Sequence, residues 1–130
     1  PDGTMGPNVL VKSDVGGPGA GYDFGDIAIP EDGTHRLYIS VSDGFGGPHE
    51  FFSVDLTGND YNLISTGGSV MQLAFGLGGV LYGHNASNGM FYDVDLATGE
   101  RTEIGTVSGS ETGVFTDLAS FAVCEPRHDW

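Results

Sequence analysis

Short apolar runs separated by glycine, asparagine and aspartate recur along the chain, and apolar and polar positions often alternate within them. Phe52, Val54 and Leu56 fall on one face of an extended strand, and Phe51, Ser53 and Asp55 on the other. Tyr92, Val94 and Leu96 repeat the first pattern. The runs predict ten strands, near 8–13, 24–29, 36–42, 50–55, 61–65, 70–75, 79–84, 90–95, 101–105 and 116–123. The turn residues between them suit antiparallel hairpins.

The runs also repeat as a group. Met71-Gln72-Leu73-Ala74-Phe75, Gly78-Gly79-Val80-Leu81-Tyr82-Gly83, Met90 to Gly99 and Arg101 to Thr106 form one copy. Asp26-Ile27-Ala28-Ile29, Leu37-Tyr38-Ile39, Phe51 to Gly58 and Asn62 to Gly67 form another, and Thr116 to Phe121 opens a third. Matching Asp26, Gln72 and Asp117 gives a period of roughly 45 residues, the size of a four-stranded propeller blade. The expected fold is all-β: about two and a half four-stranded antiparallel propeller-like blades, incomplete within one chain. The predicted division is an N-terminal Gly/Pro-rich arm with one strand (1–23), a first repeat (24–69), a second (70–115) and a partial third with a tail (116–130).

Leu81-Tyr82-Gly83, Asp93-Val94-Asp95-Leu96-Ala97-Thr98-Gly99 and Thr102-Glu103-Ile104-Gly105 carry a resemblance. This Leu-Tyr-Gly, Asp-x-x-Thr-Gly, Thr-x-Ile-Gly order resembles the blade repeats of secreted bacterial β-propeller proteins, over about Phe24 to Val123. The resemblance implies a propeller fold at the cell surface and no particular activity. The first copy departs from it by carrying Ile39 in place of the glycine.

A closed propeller needs at least four blades, so a chain with fewer leaves strand edges and apolar faces to cover. Three solutions are open: several chains completing one ring, two sheets packed face to face, or terminal strands adding to a neighbour. The strand-exchange candidates are Val9, Leu10 and Val11 at one end and Leu118, Phe121 and Val123 at the other. Gly16 to Gly21 would let the first of these segments swing.

Composition narrows the partners. Four Lys and Arg against 18 Asp and Glu give a net charge of −14, which disfavours nucleic acid and anionic membranes. No apolar run reaches the roughly 18 residues of a membrane-spanning helix. The 23 glycines serve turns, and the eight Phe and five Tyr supply a core. Pro1 reads as the start of a mature or trimmed chain, with no leader before it. Cys124, the one cysteine, is a candidate for an intermolecular disulfide.

Candidate chemistry is sparse. No nucleophile elbow, phosphate loop or paired metal-ligand spacing occurs. His35, His49, His84 and His128 are scattered. Asp55, Gly58, Asp95, Thr98 and Gly99 read as turn-forming: the carboxylates accept amides two residues on, and glycine takes the positive φ. Asn85-Ala86-Ser87 is an N-glycosylation sequon, expected on the surface. No cofactor is expected, with a weak calcium site near Asp43 or Glu50 as the one cation reading. The chain is therefore expected to be a non-enzymatic extracellular module that assembles with itself through exposed strand edges into an oligomer or filament. Two alternatives are a glycan-binding propeller formed by oligomerisation, with Tyr38, Tyr82, Phe52 and Tyr92 as stacking platforms, and a fragment of a larger propeller protein.

Overall fold

The computed structural model describes residues 24–42, 49–57 and 60–106. Eight strands form two antiparallel meanders. The first sheet orders β1 (Phe24–Ala28), β2 (Arg36–Ser42), β3 (His49–Asp55) and β4 (Tyr61–Thr66); the second orders β5 (Gln72–Phe75), β6 (Leu81–Asn85), β7 (Met90–Val94) and β8 (Arg101–Thr106). One short 3₁₀ turn, Leu77–Gly79, lies between β5 and β6. The expected strands near 8–13 and 116–123 lie outside the described residues, as do Val9, Leu10, Val11, Gly58, Leu118, Phe121, Val123 and Cys124.

The two sheets share one register. Ala28 pairs with Tyr38 as Ala74 pairs with Tyr82, and Leu37 pairs with Val54 as Leu81 pairs with Val94. Even the irregularity repeats. The β3–β4 ladder slips between Phe51 and Phe52, leaving Ile64 unpaired, and the β7–β8 ladder slips between Phe91 and Tyr92, leaving Ile104 unpaired. Such a bulge turns the extra side chain out of the regular alternation.

The sheets meet along β1 and β5, with β2 also reaching β5. The core between them takes Ala28, Tyr38, Phe51 and Ile64 from the first sheet and Leu73, Phe75, Leu81, Tyr92 and Val94 from the second, with Met71 between. The contributions are not equivalent. Under the shared register the second sheet's residues match Ile27, Leu37, Phe52 and Val54, which lie on the first sheet's opposite face. There Ile39, Phe52 and Val54 form a second cluster, flanked by Leu37, Val41 and Tyr61. The back of the first sheet therefore rests on the front of the second. The sheets thus pack through non-equivalent faces.

Central strand β3 is consequently apolar on both sides: Phe51 faces the junction and Phe52 and Val54 face away, all at most 2% exposed. Ser53, on the polar side of the sequence alternation, is also buried and accepts Arg36 Nε–H at 2.8 Å. The alternation between β3 faces thus marks two apolar environments, as strands covered on both faces require.

Gly83 explains the first copy's departure at Ile39. A Cβ on Gly83 would sit 2.6 Å from Met71 Sδ and 3.1 Å from Val94 Cγ2. Met71 enters the junction over this bare stretch of backbone. Ile39 faces away from the junction, into the cluster with Phe52 and Val54.

Candidate functional site

The polar centre of the molecule is the joint between the sheets. Ser40 and His49 lie on neighbouring strands β2 and β3, on the face turned towards the second sheet, and both are buried. Met71 N–H donates to Ser40 Oγ at 2.9 Å, and Ser40 O–H donates to His49 Nε2 at 2.9 Å. His49 Nδ1–H donates to the Gly67 carbonyl at 2.8 Å. These roles are assigned from the network, since only this tautomer satisfies all three bonds with a neutral ring.

Arg101, at the start of β8, closes the joint from the second sheet. Its Nη2–H donates to the Ser69 carbonyl at 2.7 Å and lies 3.4 Å from His49 Nδ1, with the guanidinium 6.0 Å from the Tyr92 ring centre. Gly68 makes room for it at φ +76°, where a Cβ would come within 3.3 Å of the guanidinium. Next to this group, Leu73 N–H donates to Asp26 Oδ2 at 2.6 Å, a second bond from sheet to sheet. Burial lowers the His49 pKa and outweighs the Gly67 bond; the Arg101 charge lowers it further.

Ser40 and His49 have the contact of a nucleophile and its base. Their setting removes that chemistry: Ser40 has no exposed surface, its oxygen already accepts the Met71 amide, and a backbone carbonyl stands where an orienting carboxylate would. The pair joins sheets. Sequence reasoning missed this network because its members span 52 residues from His49 to Arg101, and no short motif links them.

The residues singled out in the sequence fall elsewhere. Asp95 Oδ1 accepts Ala97 N–H at 2.9 Å and Thr98 N–H at 2.8 Å, while Gly99 follows at φ +72° and returns its own N–H to the Asp95 carbonyl at 2.8 Å. These bonds hold the Asp95 carboxyl below its usual range. A Cβ at Gly99 would also collide with Ser65 of the first sheet. Asp55 accepts Thr57 O–H at 2.6 Å and the Asp60 amide at 3.2 Å.

Asn85 departs from the expectation of a surface sequon. It is 6% exposed, at the end of β6 on the face towards the first sheet, and its Oδ1 accepts Ser87 N–H at 2.9 Å. His84 is buried as well, donating Nδ1–H to Gln72 Oε1 at 2.8 Å with its ring 4.5 Å from Phe91.

Among the described residues, no three His, Cys, Asp or Glu side chains gather as a metal site would need. Asp43 lies outside them; Glu50 sits on β3, with Oε2 buried and without a hydrogen bond. The four aromatic positions proposed as sugar platforms all make packing contacts, Phe52 buried and Tyr38, Tyr82 and Tyr92 half-buried. Tyr38 stands edge-on to Phe75 at 5.5 Å, Phe52 lies 5.2 Å from Tyr61, Tyr92 lies under Arg101, and Tyr82 packs against Gly76.

One groove of about 390 Å³ opens where the β1–β2 turn meets the β5–β6 turn. Phe75 and Leu96 line it with the exposed Leu77, and Glu31 and Asp32 stand on its side. Thr34 N–H and O–H both donate to Asp32 Oδ1, which lowers the carboxyl pKa.

No protein family, curated protein or solved structure was found to match the chain. Its own internal repetition is therefore the basis for a functional reading.

Proposed function

We propose that the chain is a non-enzymatic extracellular structural module whose sheets are neighbouring blades of a propeller-like stack, completed by further copies of itself. The observation behind this reading is the unequal exposure of equivalent positions. Leu73 and Phe75 are 1% and 4% exposed in the junction, whereas their counterparts Ile27 and Ile29 on the first sheet are 55% and 49% exposed. Ile64 packs into the junction core, whereas its counterpart Ile104 is 58% exposed. At β1 and β8 the outer faces thus expose apolar residues whose counterparts the internal joint buries, whereas Phe52 and Val54 of β3 are already covered within the chain. A neighbouring copy can cover the exposed ones by repeating the contact, and head-to-tail contacts of this kind propagate into rings or filaments. Face stacking is favoured here over the strand-edge addition expected from the sequence.

Native mass measured by light scattering over a wide concentration range tests the reading. Oligomers are expected, and because each copy carries a charge of −14, they should strengthen as salt screens repulsion. Ile104→Lys should shift the protein towards monomer while leaving its melting temperature nearly unchanged. A strictly monomeric wild type at high concentration and high salt overturns the proposal.

The groove beside Glu31 and Asp32 favours a second reading, a glycan site: apolar side chains suit a sugar face, and carboxylates accept its hydroxyls. A glycan array with no hit on the assembled protein would remove it.

A further inference from the structure

We propose that His49 is an acid-sensitive bolt between the two sheets: neutral, it holds Ser40 under the Met71 amide, and charged, it releases that hold and lets the sheets part. The argument starts from donor and acceptor counting. In the neutral ring Nε2 has a lone pair to accept Ser40 O–H, while Nδ1–H is used by Gly67. A charged ring has two donors and no acceptor. Its new Nε2–H would point at the Ser40 oxygen, which already receives Met71 N–H. The serine proton would then have to turn away from its partner inside a buried site.

The charges around the ring reinforce this. From β8, the Arg101 guanidinium faces Nδ1 at 3.4 Å and opposes a second cation; Tyr92 of β7 faces that guanidinium, not the imidazole. From β1, Asp26 stands across the ladder from Ser40, with its oxygens accepting the Ile27 and Leu73 amides. On β3 itself, Glu50 projects to the opposite face. The segment after β4 offers only the Gly67 and Ser69 carbonyls. Protonation therefore places a buried cation beside the half-buried Arg101 guanidinium, at a joint that the neutral ring satisfies.

The sign follows. A histidine whose folded pKa is depressed contributes its full stabilisation above the ordinary value of 6.5 and loses it as pH falls. Between that value and the point where His49 charges in the closed form, separation of the sheets should become about tenfold more populated per pH unit.

The experiment uses the full chain. Imidazole nitrogen shifts read the tautomer and titration of His49, and hydrogen exchange reads the Met71 amide against amides paired within each sheet. Expected are an Nδ1–H ring at pH 7.5, titration below pH 6.5, and a loss of Met71 protection with acid while the intra-sheet amides hold. Arg101→Gln should raise the titration point. His49→Gln should make Met71 protection independent of pH between 7.5 and 5; if either variant fails to fold, the wild-type titration and exchange decide alone. A His49 that charges at or above 6.5, or Met71 protection constant across this range after correction for intrinsic rates, overturns the proposal.

Discussion

The two sheets have a common ladder but different neighbours, and their sequences diverge where the neighbour changes. The first sheet has Ser40 and Ile39 in β2; the second has His84 and Gly83 at the matching positions of β6. Ser40 is small because it must accept a backbone amide from the chain entering the second sheet, and Gly83 is bare because Met71 lies across it. His49 has Gly89 as its counterpart, outside the joint. The pairing pattern belongs to the four-stranded unit, whereas side-chain identity records what rests on each face.

The sharpest way to break this comparison is to treat equivalent residues alike. Phe51 is fully buried in the joint, and its counterpart Phe91 is only partly buried, stacked near His84. Phe51→Ala should cost about 4 kcal/mol and Phe91→Ala about half of that, read as shifts in urea midpoint at constant slope. Equal losses would mean that the joint contributes no more than the outer face.

Copying the first sheet's residue into the second comes next. Gly83→Ile drives a branched side chain into Met71 and Val94 and should cost about 3 kcal/mol. Met71→Ala in the same chain should recover part of that loss. If Gly83→Ile melts like wild type, Met71 does not lie where the joint requires it.

A smaller effect is expected at the turn after β7. Gly99→Ala must hold φ near +72° and displace Ser65, for a loss of about 2 kcal/mol by thermal melting. Smallest is the carboxylate of the same turn. Because the Asp95 pKa is lowered by the Thr98 and Ala97 bonds, its contribution is present above the ordinary carboxylate range and fades as pH falls through the native value. Asp95→Asn should remove that contribution at pH 7, so the variant melts lower than wild type there and the two profiles converge as pH falls from 5 to 2.

These differences also show what could be read from the sequence. The eight described strands lie where apolar runs and turn residues place them, because hairpin pairing is local and the repeat states each unit twice. The Asp95 turn was legible for the same reason: donor and acceptor lie within four residues. Ser40, His49 and Arg101 were not, since what unites them is the packing of one sheet against the next. Asn85 misled because a sequon specifies three residue types and nothing about which way the strand faces. His49 looked like one of four scattered histidines; only the joint gives it partners.

The repeated bulge carries a consequence for the chain's history and engineering. Ile64 and Ile104 are each the one residue of their strand that the ladder skips, so the outer strand is keyed at a fixed place and resists sliding by one position. If further units stack as proposed, each contact is made only to the next unit and length becomes a matter of counting. On the same proposal, a whole repeat inserted between Gly67 and Ser69 should be tolerated, whereas a partial one would leave the key without its slot.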